Sequence, residues 1–153
     1  MSSKKAAKKL KSKNKSKHKM QVDSIALLHA TKRGDCGAMG RMIDGGLDVN
    51  ALVETGMKDR VTGQLIRSTA LYQAVGANQA AATRLLLDRG ADPSLASSAG
   101  GTALMVSATN PRLELLQRLM EAQAERGATE SADGSAAFLF ACYSGNADCS
   151  EYA

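Results

Sequence analysis

Residues 69–94, TALYQAVGANQAAATRLLLDRGADPS, contain two short helix-forming segments in succession. The first opens with TALY at residues 69–72, and the second ends in the apolar pair LL at 86–87, followed by GAD at 90–92. Neither segment is long enough to form a stable helix alone in water. We therefore expect stacking of such units to stabilise them, with Gly90 as the left-handed residue that ends the second helix.

The same phrases recur along the chain at a nearly constant spacing. Counterparts of TALY are IALL at residues 25–28, TALM at 102–105 and AAFL at 136–139, and the successive starts are separated by 44, 33 and 34 residues. Counterparts of GAD are GLD at 46–48 and GAT at 127–129. The sequence therefore has an internal period of about 33 residues, which is typical of repeat proteins.

These phrases resemble the ankyrin repeat, whose pattern is a Gly, then TPLH opening an inner helix, then an outer helix ending in Leu-Leu, then a Gly-Ala-Asp turn. The resemblance covers residues 23–153, although Ala replaces the Pro four times and no His stands at its place. It implies an all-α solenoid of helix–turn–helix repeats with a long finger loop. The implied repeats are residues 23–52, 67–97, 100–130 and an incomplete 133–153, with an insertion at 53–66.

The amino-acid composition independently favours helices. Ala (26) and Leu (17) dominate, whereas Val and Ile together number nine and the aromatic residues five. So few β-branched residues argue against a β-sandwich or barrel, and so few aromatic residues argue against a platform that stacks nucleic-acid bases. The longest apolar stretch, residues 136–143, is far shorter than the roughly 20 residues of a membrane-spanning helix, so we expect no membrane partner.

Charge divides the chain into a basic tail and a mildly acidic body. Residues 1–20 contain nine Lys and no Asp or Glu, so the total of +5 leaves −4 for residues 21–153. We expect residues 1–22 to be a disordered tail, because they have almost no apolar side chains to bury. Such a tail could be a solubilising extension, a nuclear-import signal or a weak, non-specific polyanion-binding segment.

The cysteines and the start of the chain predict an intracellular protein, either cytoplasmic or nuclear. Cys36, Cys142 and Cys149 are odd in number and lack metal-ligand spacing, so we expect reduced thiols and no zinc site. The apolar run after the basic tail, residues 25–28, is shorter than the roughly 7 to 15 residues of a secretory signal core.

Three regions depart from the period. Eleven extra residues separate the first two repeats, and the polar–apolar alternation at 53–66 predicts either an extended hairpin-like loop or a floppy insertion. Four extra residues in the third repeat predict an outer helix one turn longer, through residues 121–125. The fourth repeat lacks a closing Leu-Leu-Gly, which predicts a truncated chain or a fragment of a longer protein.

Groups that could carry out catalysis are sparse. The sequence has two His residues, no Gly-rich phosphate loop followed by Lys, no His-Glu metal motif and no Ser flanked by two glycines. His29 and Cys36 could form a thiolate pair, but a surface His and an inert thiol are the favoured interpretation. We therefore predict no enzymatic activity, no cofactor and no metal.

The ankyrin resemblance implies a protein-binding surface made of finger tips and inner-helix residues. Position by position, the implied partner-binding residues are Lys32, Arg33, Leu65, Ile66, Ser68, Ser98, Gly101, Thr109, Asn110, Ser135 and Tyr143, together with Gly76, Ala77, Ala99, Asp133 and Ser144. Two adjacent apolar residues, Leu65 and Ile66, predict either an exposed interface anchor or a small local core under the finger.

The resulting hypothesis is a non-enzymatic scaffold that binds another protein through the concave face and fingers of its repeats. The alternative is a targeting or regulatory domain of a larger enzyme whose catalytic part lies beyond Ala153. The reading frame after residue 153 would distinguish them by showing further repeats or a catalytic motif. The identity of the partner stays open, because one fold serves many functions.

Overall fold

The computed structural model describes residues 2–110 and 112–125 of the chain. Within these residues, helices and strands follow one another in the order α1 (Ser2–Arg33), α2 (Cys36–Asp44), β1 (Val53–Lys58), β2 (Leu65–Ser68), α3 (Ala70–Gly76), α4 (Ala80–Asp88), α5 (Ala103–Ala108) and α6 (Leu113–Glu125).

Polar side chains fix the starts of three of these helices. Asp35 accepts a hydrogen bond from the backbone N–H of Ala38 at 3.0 Å and caps α2. Thr69 and Thr102 accept equivalent bonds, each at 3.2 Å, at the starts of α3 and α5. These caps satisfy N–H groups that have no partner within the helix. They explain why helices begin where the Thr-Ala-Leu phrase recurs.

Glycines in the left-handed conformation end helices α2 and α4. Gly46 has a φ of 99° and Gly90 a φ of 86°. After Gly90, the N–H of Ala91 returns to the carbonyl of Leu86 at 2.9 Å, which closes the last turn of α4. The prediction that Gly90 ends its helix in a left-handed conformation is confirmed, and Gly46, its counterpart in the repeat, does the same after α2.

The helices pack in two layers. Helices α1, α3 and α5 contact one another in succession and form the inner layer, and α2, α4 and α6 form the outer layer in the same way. Each inner helix also contacts the outer helix that follows it. The largest fully buried side chains include Leu27, Met39, Leu71, Leu86 and Leu119, which lie between the layers. This is the helix–turn–helix repeat arrangement that the resemblance to ankyrin repeats implies.

Alanines occupy equivalent buried places in the inner layer. Ala30, Ala74 and Ala108, one on each inner helix, are at most 1% exposed. A methyl side chain lets neighbouring helices approach closely and leaves no space for a larger group.

The N-terminal segment differs from its prediction. Residues 2–22 belong to helix α1, which continues without a break into the first inner helix. The expectation of a disordered tail at 1–22 is therefore not confirmed. Lys and Ala have high helix propensity, and a helix that already has a packed turn extends at low cost, because only its nucleation is unfavourable.

The insertion between α2 and α3 forms an antiparallel hairpin, which we call the finger (residues 53–68). Strands β1 and β2 pair in the register Val53 with Ser68, Glu54 with Arg67 and Lys58 with Leu65, with an irregularity between Glu54 and Lys58. The extended, hairpin-like alternative is thus confirmed for this loop. Residues 2–110 and 112–125 are therefore mostly helical with one small two-stranded sheet, whereas the resemblance implies an all-α fold.

The last described helix, α6, tests the prediction of a longer outer helix, whereas the prediction for the fourth repeat concerns residues outside the described part of the chain. Helix α6 has 13 residues whereas α4 has 9, so the prediction of an outer helix one turn longer is confirmed. The fourth repeat, the turn at 127–129 and the predicted truncation all lie outside the described residues.

Candidate functional site

The residues predicted to bind a partner lie at opposite ends of the inner helices. One set comprises Leu65, Ile66 and Ser68 in β2, with Ser98 and Gly101 in the turn before α5. We call the finger together with turn residues 97–101 the finger row. The second set, which we call the turn row, comprises Lys32 and Arg33 at the end of α1, Gly76 and Ala77 at the end of α3, and Thr109 and Asn110 after α5. Ser135 and Tyr143, with Asp133 and Ser144, lie outside the described residues.

Backbone hydrogen bonds join the two parts of the finger row. The N–H of Ser98 donates to the carbonyl of Arg67 at 2.8 Å, and the N–H of Arg67 donates to Oγ of Ser98 at 2.9 Å. The turn itself is closed by a bond from Ser97 N–H to the carbonyl of Gly101 at 2.8 Å. The finger is therefore anchored to the next repeat along the chain and does not stand alone.

Strand geometry separates Leu65 from Ile66. Successive residues of a strand point to opposite faces, and the exposures along β2 follow this alternation. Leu65 is 42% exposed and shares the outer face with Arg67, whereas Ile66 is half-buried on the face that packs toward the helices. Leu65 therefore has the exposure that the interface-anchor alternative requires, whereas Ile66 is half-buried; binding of a partner by this pair stays a prediction.

Ser68 does not lie on the accessible surface. It is 0% exposed, and its Oγ accepts a hydrogen bond from Nε2 of Gln73 at 2.9 Å. The burial follows from the same alternation, because Ser68 is two residues after Ile66 and faces the helices. A partner cannot contact this side chain unless the finger opens, so Ser68 is a structural residue at the base of the finger.

The turn row is also tied together by hydrogen bonds between neighbouring repeats. Nε2 of Gln79 donates to the carbonyl of Lys32 at 3.3 Å, and Nδ2 of Asn110 donates to the carbonyl of Val75 at 3.3 Å. Lys32, Arg33 and Thr109 keep exposed side chains, whereas Asn110 is only partly exposed. Asn110 thus positions its repeat as well as facing solvent.

Gly101 is in close contact with an aromatic ring that the sequence did not identify as part of the surface. A Cβ added to Gly101 would lie 3.3 Å from Cε2 of Tyr72. Tyr72 is half-buried on α3 and stands where the ankyrin pattern has His. Tyr72 could have been identified from this position in the sequence, because the residue at the His position of a repeat lies beside the turn of the following repeat.

Exposed apolar side chains on and beside the finger are a second feature that the sequence did not identify. Leu52, Met57 and Val61 are 46%, 51% and 93% exposed, and they accompany Leu65. A shallow cleft at the base of the finger is lined by Leu52 and by Met20 of α1, which is 60% exposed. Several exposed apolar side chains on one projecting element are typical of an interaction surface.

A single carboxylate orders the tip of the finger. Oδ1 of Asp59 accepts hydrogen bonds from the backbone N–H groups of Val61 at 2.8 Å and Thr62 at 2.7 Å. These hydrogen bonds hold the pKa of Asp59 below its ordinary value of 3.8, with the bond from Thr62 N–H having the larger effect and that from Val61 N–H the smaller. Asp59 is therefore ionised at neutral pH, and its charge holds the turn that presents Val61 to solvent.

The side chains that could ligate a metal are dispersed in the described part of the chain. Within residues 2–110 and 112–125, no three His, Cys, Asp or Glu side chains lie close enough together to hold a metal ion. His29 is exposed on α1, and Cys36 is half-buried on α2. Among the described helices, none combines the length and apolar character needed to cross a membrane.

A comparison with protein-family models matches the C-terminal part of this chain. The matching model is described as ankyrin repeats, in three copies, and covers residues 71–153, more than half of the chain. Helices α1 and α2 and the finger precede the matched range.

Proposed function

This chain belongs to the ankyrin-repeat family, and from that premise we propose that it is a non-enzymatic scaffold that binds another protein through the finger row and turn row. Ankyrin repeats generally act as protein–protein interaction modules.

We also propose that the repeats occupy residues 23–52, 67–97, 100–130 and 133–153, and that the protein is intracellular. The helix bounds support the first three repeats, and the odd number of cysteines supports the location.

The observation that carries the proposal is the cluster of exposed apolar side chains on the finger. Leu65 and Val61 are 42% and 93% exposed although water is an unfavourable environment for both. The finger is anchored to the turn of the following repeat through Arg67 and Ser98, so these side chains are presented on a fixed backbone. Because these apolar side chains are held in place before binding, less conformational entropy is lost when a partner binds.

Charged side chains surround these anchors and would set specificity. Glu54 and Arg67 are opposite each other across the hairpin, and Lys58 is opposite Leu65. An apolar centre with a mixed-charge rim is the usual composition of a protein interface. A partner segment with a complementary apolar residue and both signs of charge is therefore the expected ligand of this surface.

Site-specific photocrosslinking tests the proposal. A photoreactive amino acid at position 65 of the full chain should yield discrete, reproducible protein adducts in an extract of the source cells. The same residue at position 10 is the control, because Leu10 is 63% exposed on α1 and far in sequence from the finger.

Variants complete the test. Leu65→Ser should remove the adducts formed from a probe at position 61, whereas Leu10→Ser should not. Identical adducts from positions 65 and 10, or adducts at position 61 that survive Leu65→Ser, would contradict a binding surface on the finger.

A further inference from the structure

The lysines of α1 are arranged in a stripe along one side of the helix. Five of them recur at intervals of four, three, four and four residues: Lys4, Lys8, Lys11, Lys15 and Lys19. With about 3.6 residues per turn, this spacing places all five within about a quarter of the helix circumference. Over their length the helix rises roughly 22 Å. We call these five residues the lysine stripe.

The lysine stripe faces away from the packed layers. Where α1 enters the body of the protein, its buried side is marked by Leu27 and Thr31, which are 2% and 0% exposed. The helical period puts the stripe on the opposite side, in line with exposed Val22, His29 and Arg33. Lys4, Lys8, Lys11 and Lys15 are thus not covered by any described residue, and Lys19, although exposed, lies at the edge of a cleft lined by Arg41 and Met42 of α2.

Among the described residues, no ion pair neutralises the charge of the stripe. Residues 1–20 contain no Asp or Glu, and no lysine of α1 takes part in the ion pairs of the described residues. Like charges four residues apart destabilise a helix by a few tenths of a kcal/mol for each pair. A ligand that supplies evenly spaced negative charges along the stripe would therefore bind it and stabilise the helix.

The residue types of α1 restrict the class of ligand. Residues 2–22 have no Phe, Tyr or Trp to stack on unpaired bases, and their apolar residues do not form the continuous face that holds a helix in a membrane surface. The cations of the stripe are all Lys, which contact phosphates as point charges. These features favour the regular phosphate backbone of a duplex.

We propose that the lysine stripe binds B-form DNA, with α1 lying along the edge of the major groove and its lysines on the phosphates of one strand. The B-form major groove is wide enough to admit an α-helix, whereas that of an RNA duplex is deep and narrow. Binding is independent of base sequence, because no side chain of the stripe reads bases. The inference goes beyond the proposed function, because the stripe and the finger are separate surfaces that can be occupied together.

The matched experiment compares two variants that remove equal charge. The stripe variant replaces Lys8, Lys11, Lys15 and Lys19 by Gln, and the control variant replaces Lys5, Lys9, Lys13 and Lys17 by Gln. The control lysines lie on the side of α1 that the body buries further along the helix. Gln and Lys have similar helix propensity, so helicity is maintained in both variants, and circular dichroism verifies it.

The readout is the salt dependence of binding of the full chain to a labelled 24-base-pair DNA duplex by fluorescence anisotropy. Five phosphate contacts predict about 500-fold weaker binding between 50 and 200 mM salt for the unaltered chain and for the control variant. The stripe variant, left with one such contact, should weaken only about fourfold over that range. A variant with Arg at the same four positions should keep the steep salt dependence.

Several outcomes would overturn the proposal. Equal losses in the two Gln variants would mean that the lysines act as a flexible polycation without a binding face. Equally tight binding to an RNA duplex, to poly-glutamate or to vesicles containing anionic lipid would assign the stripe to anionic surfaces in general. These binding measurements do not involve the finger, so their outcome does not bear on the protein-binding proposal.

Discussion

At the scale of single residues, Asp59 and Ser68 show how one polar side chain holds the finger in place. Asp59 fixes the tip through two backbone N–H groups, and Ser68 fixes the base through Gln73. Neither side chain needs to touch a partner to affect binding, because both position the apolar residues between them. The consequences of removing each can be measured separately.

The charge on Asp59 should make the finger tip sensitive to acid. Because the pKa of Asp59 is lower in the folded protein than its ordinary value of 3.8, its contribution to stability is complete above that value. The contribution is lost as the pH falls through the lower, folded pKa. In NMR spectra, the amide signals of Val61 and Thr62 should shift together in this acid range, and Asp59→Asn should abolish the shared titration. Titration of these amides near pH 5 or above would contradict the prediction.

Removal of the Ser68 hydroxyl should destabilise the fold without altering its surface. Ser68→Ala leaves the buried amide of Gln73 without this partner, at a cost of about 1–3 kcal/mol in the free energy of unfolding. The control is Ser12→Ala, at an exposed serine of α1, which should change stability by less than about 0.5 kcal/mol. Urea denaturation measures both. Equal effects of the two substitutions would show that the buried bond contributes nothing.

At the scale of elements, Gly40 inside helix α2 and Gly46 just after it should respond to substitution with opposite effects on stability. Gly46→Ala forces an L-residue into a φ of 99°, which costs about 1–2 kcal/mol. Gly40→Ala, inside α2, should stabilise the protein by about 0.5–1 kcal/mol, because Ala loses less backbone entropy in a helix. A Cβ at either position meets no atom within 4 Å, so steric contact does not complicate the comparison. Thermal denaturation measures both changes in stability. No loss of stability in Gly46→Ala would refute the assignment of Gly46 as the left-handed end of α2, and destabilisation by Gly40→Ala would refute the entropy argument for Gly40.

At the scale of the whole molecule, the inner layer transmits packing from one repeat to the next. Helix α3 contacts both α1 and α5, and Ala74 at its centre is 0% exposed. Repeat proteins are stabilised mainly by contacts between neighbouring units, so a disturbance at one contact weakens both sides.

Overpacking at Ala74 should therefore weaken several repeats at once. Ala74→Leu is expected to cost about 1–3 kcal/mol, because the inner helices must separate to admit the larger side chain. Ala81→Leu, at an exposed position of α4, is the control and should be neutral within about 0.5 kcal/mol. Hydrogen exchange should accelerate in α1 and α5 as well as in α3 for Ala74→Leu. Acceleration confined to α3 would mean that the repeats are not coupled through this contact.

How much of the candidate surface could be predicted from sequence depends on how far apart in the chain the interacting residues are. The finger and turn rows could be located from sequence, because their distance from each Thr-Ala-Leu phrase is set by the repeat. The difference in exposure between Leu65 and Ile66 could not be predicted from sequence. It depends on the pairing of β2 with β1 and on the hydrogen bond between Arg67 and Ser98, which is 31 residues further along the chain. Tyr72 and the exposed residues of the finger become visible only once these segments are placed together.

The sequence by itself determined the period, the caps at Thr69 and Thr102, and the helix ends at Gly46 and Gly90. These features depend on φ preferences and on hydrogen bonds between residues a few positions apart, and such local effects can be read from short segments. The tertiary structure decided that residues 2–22 continue α1 and that Ser68 is buried. Both outcomes depend on distant parts of the chain, because a packed helix removes the cost of nucleation for residues before it, and strand pairing fixes which side chains face the core.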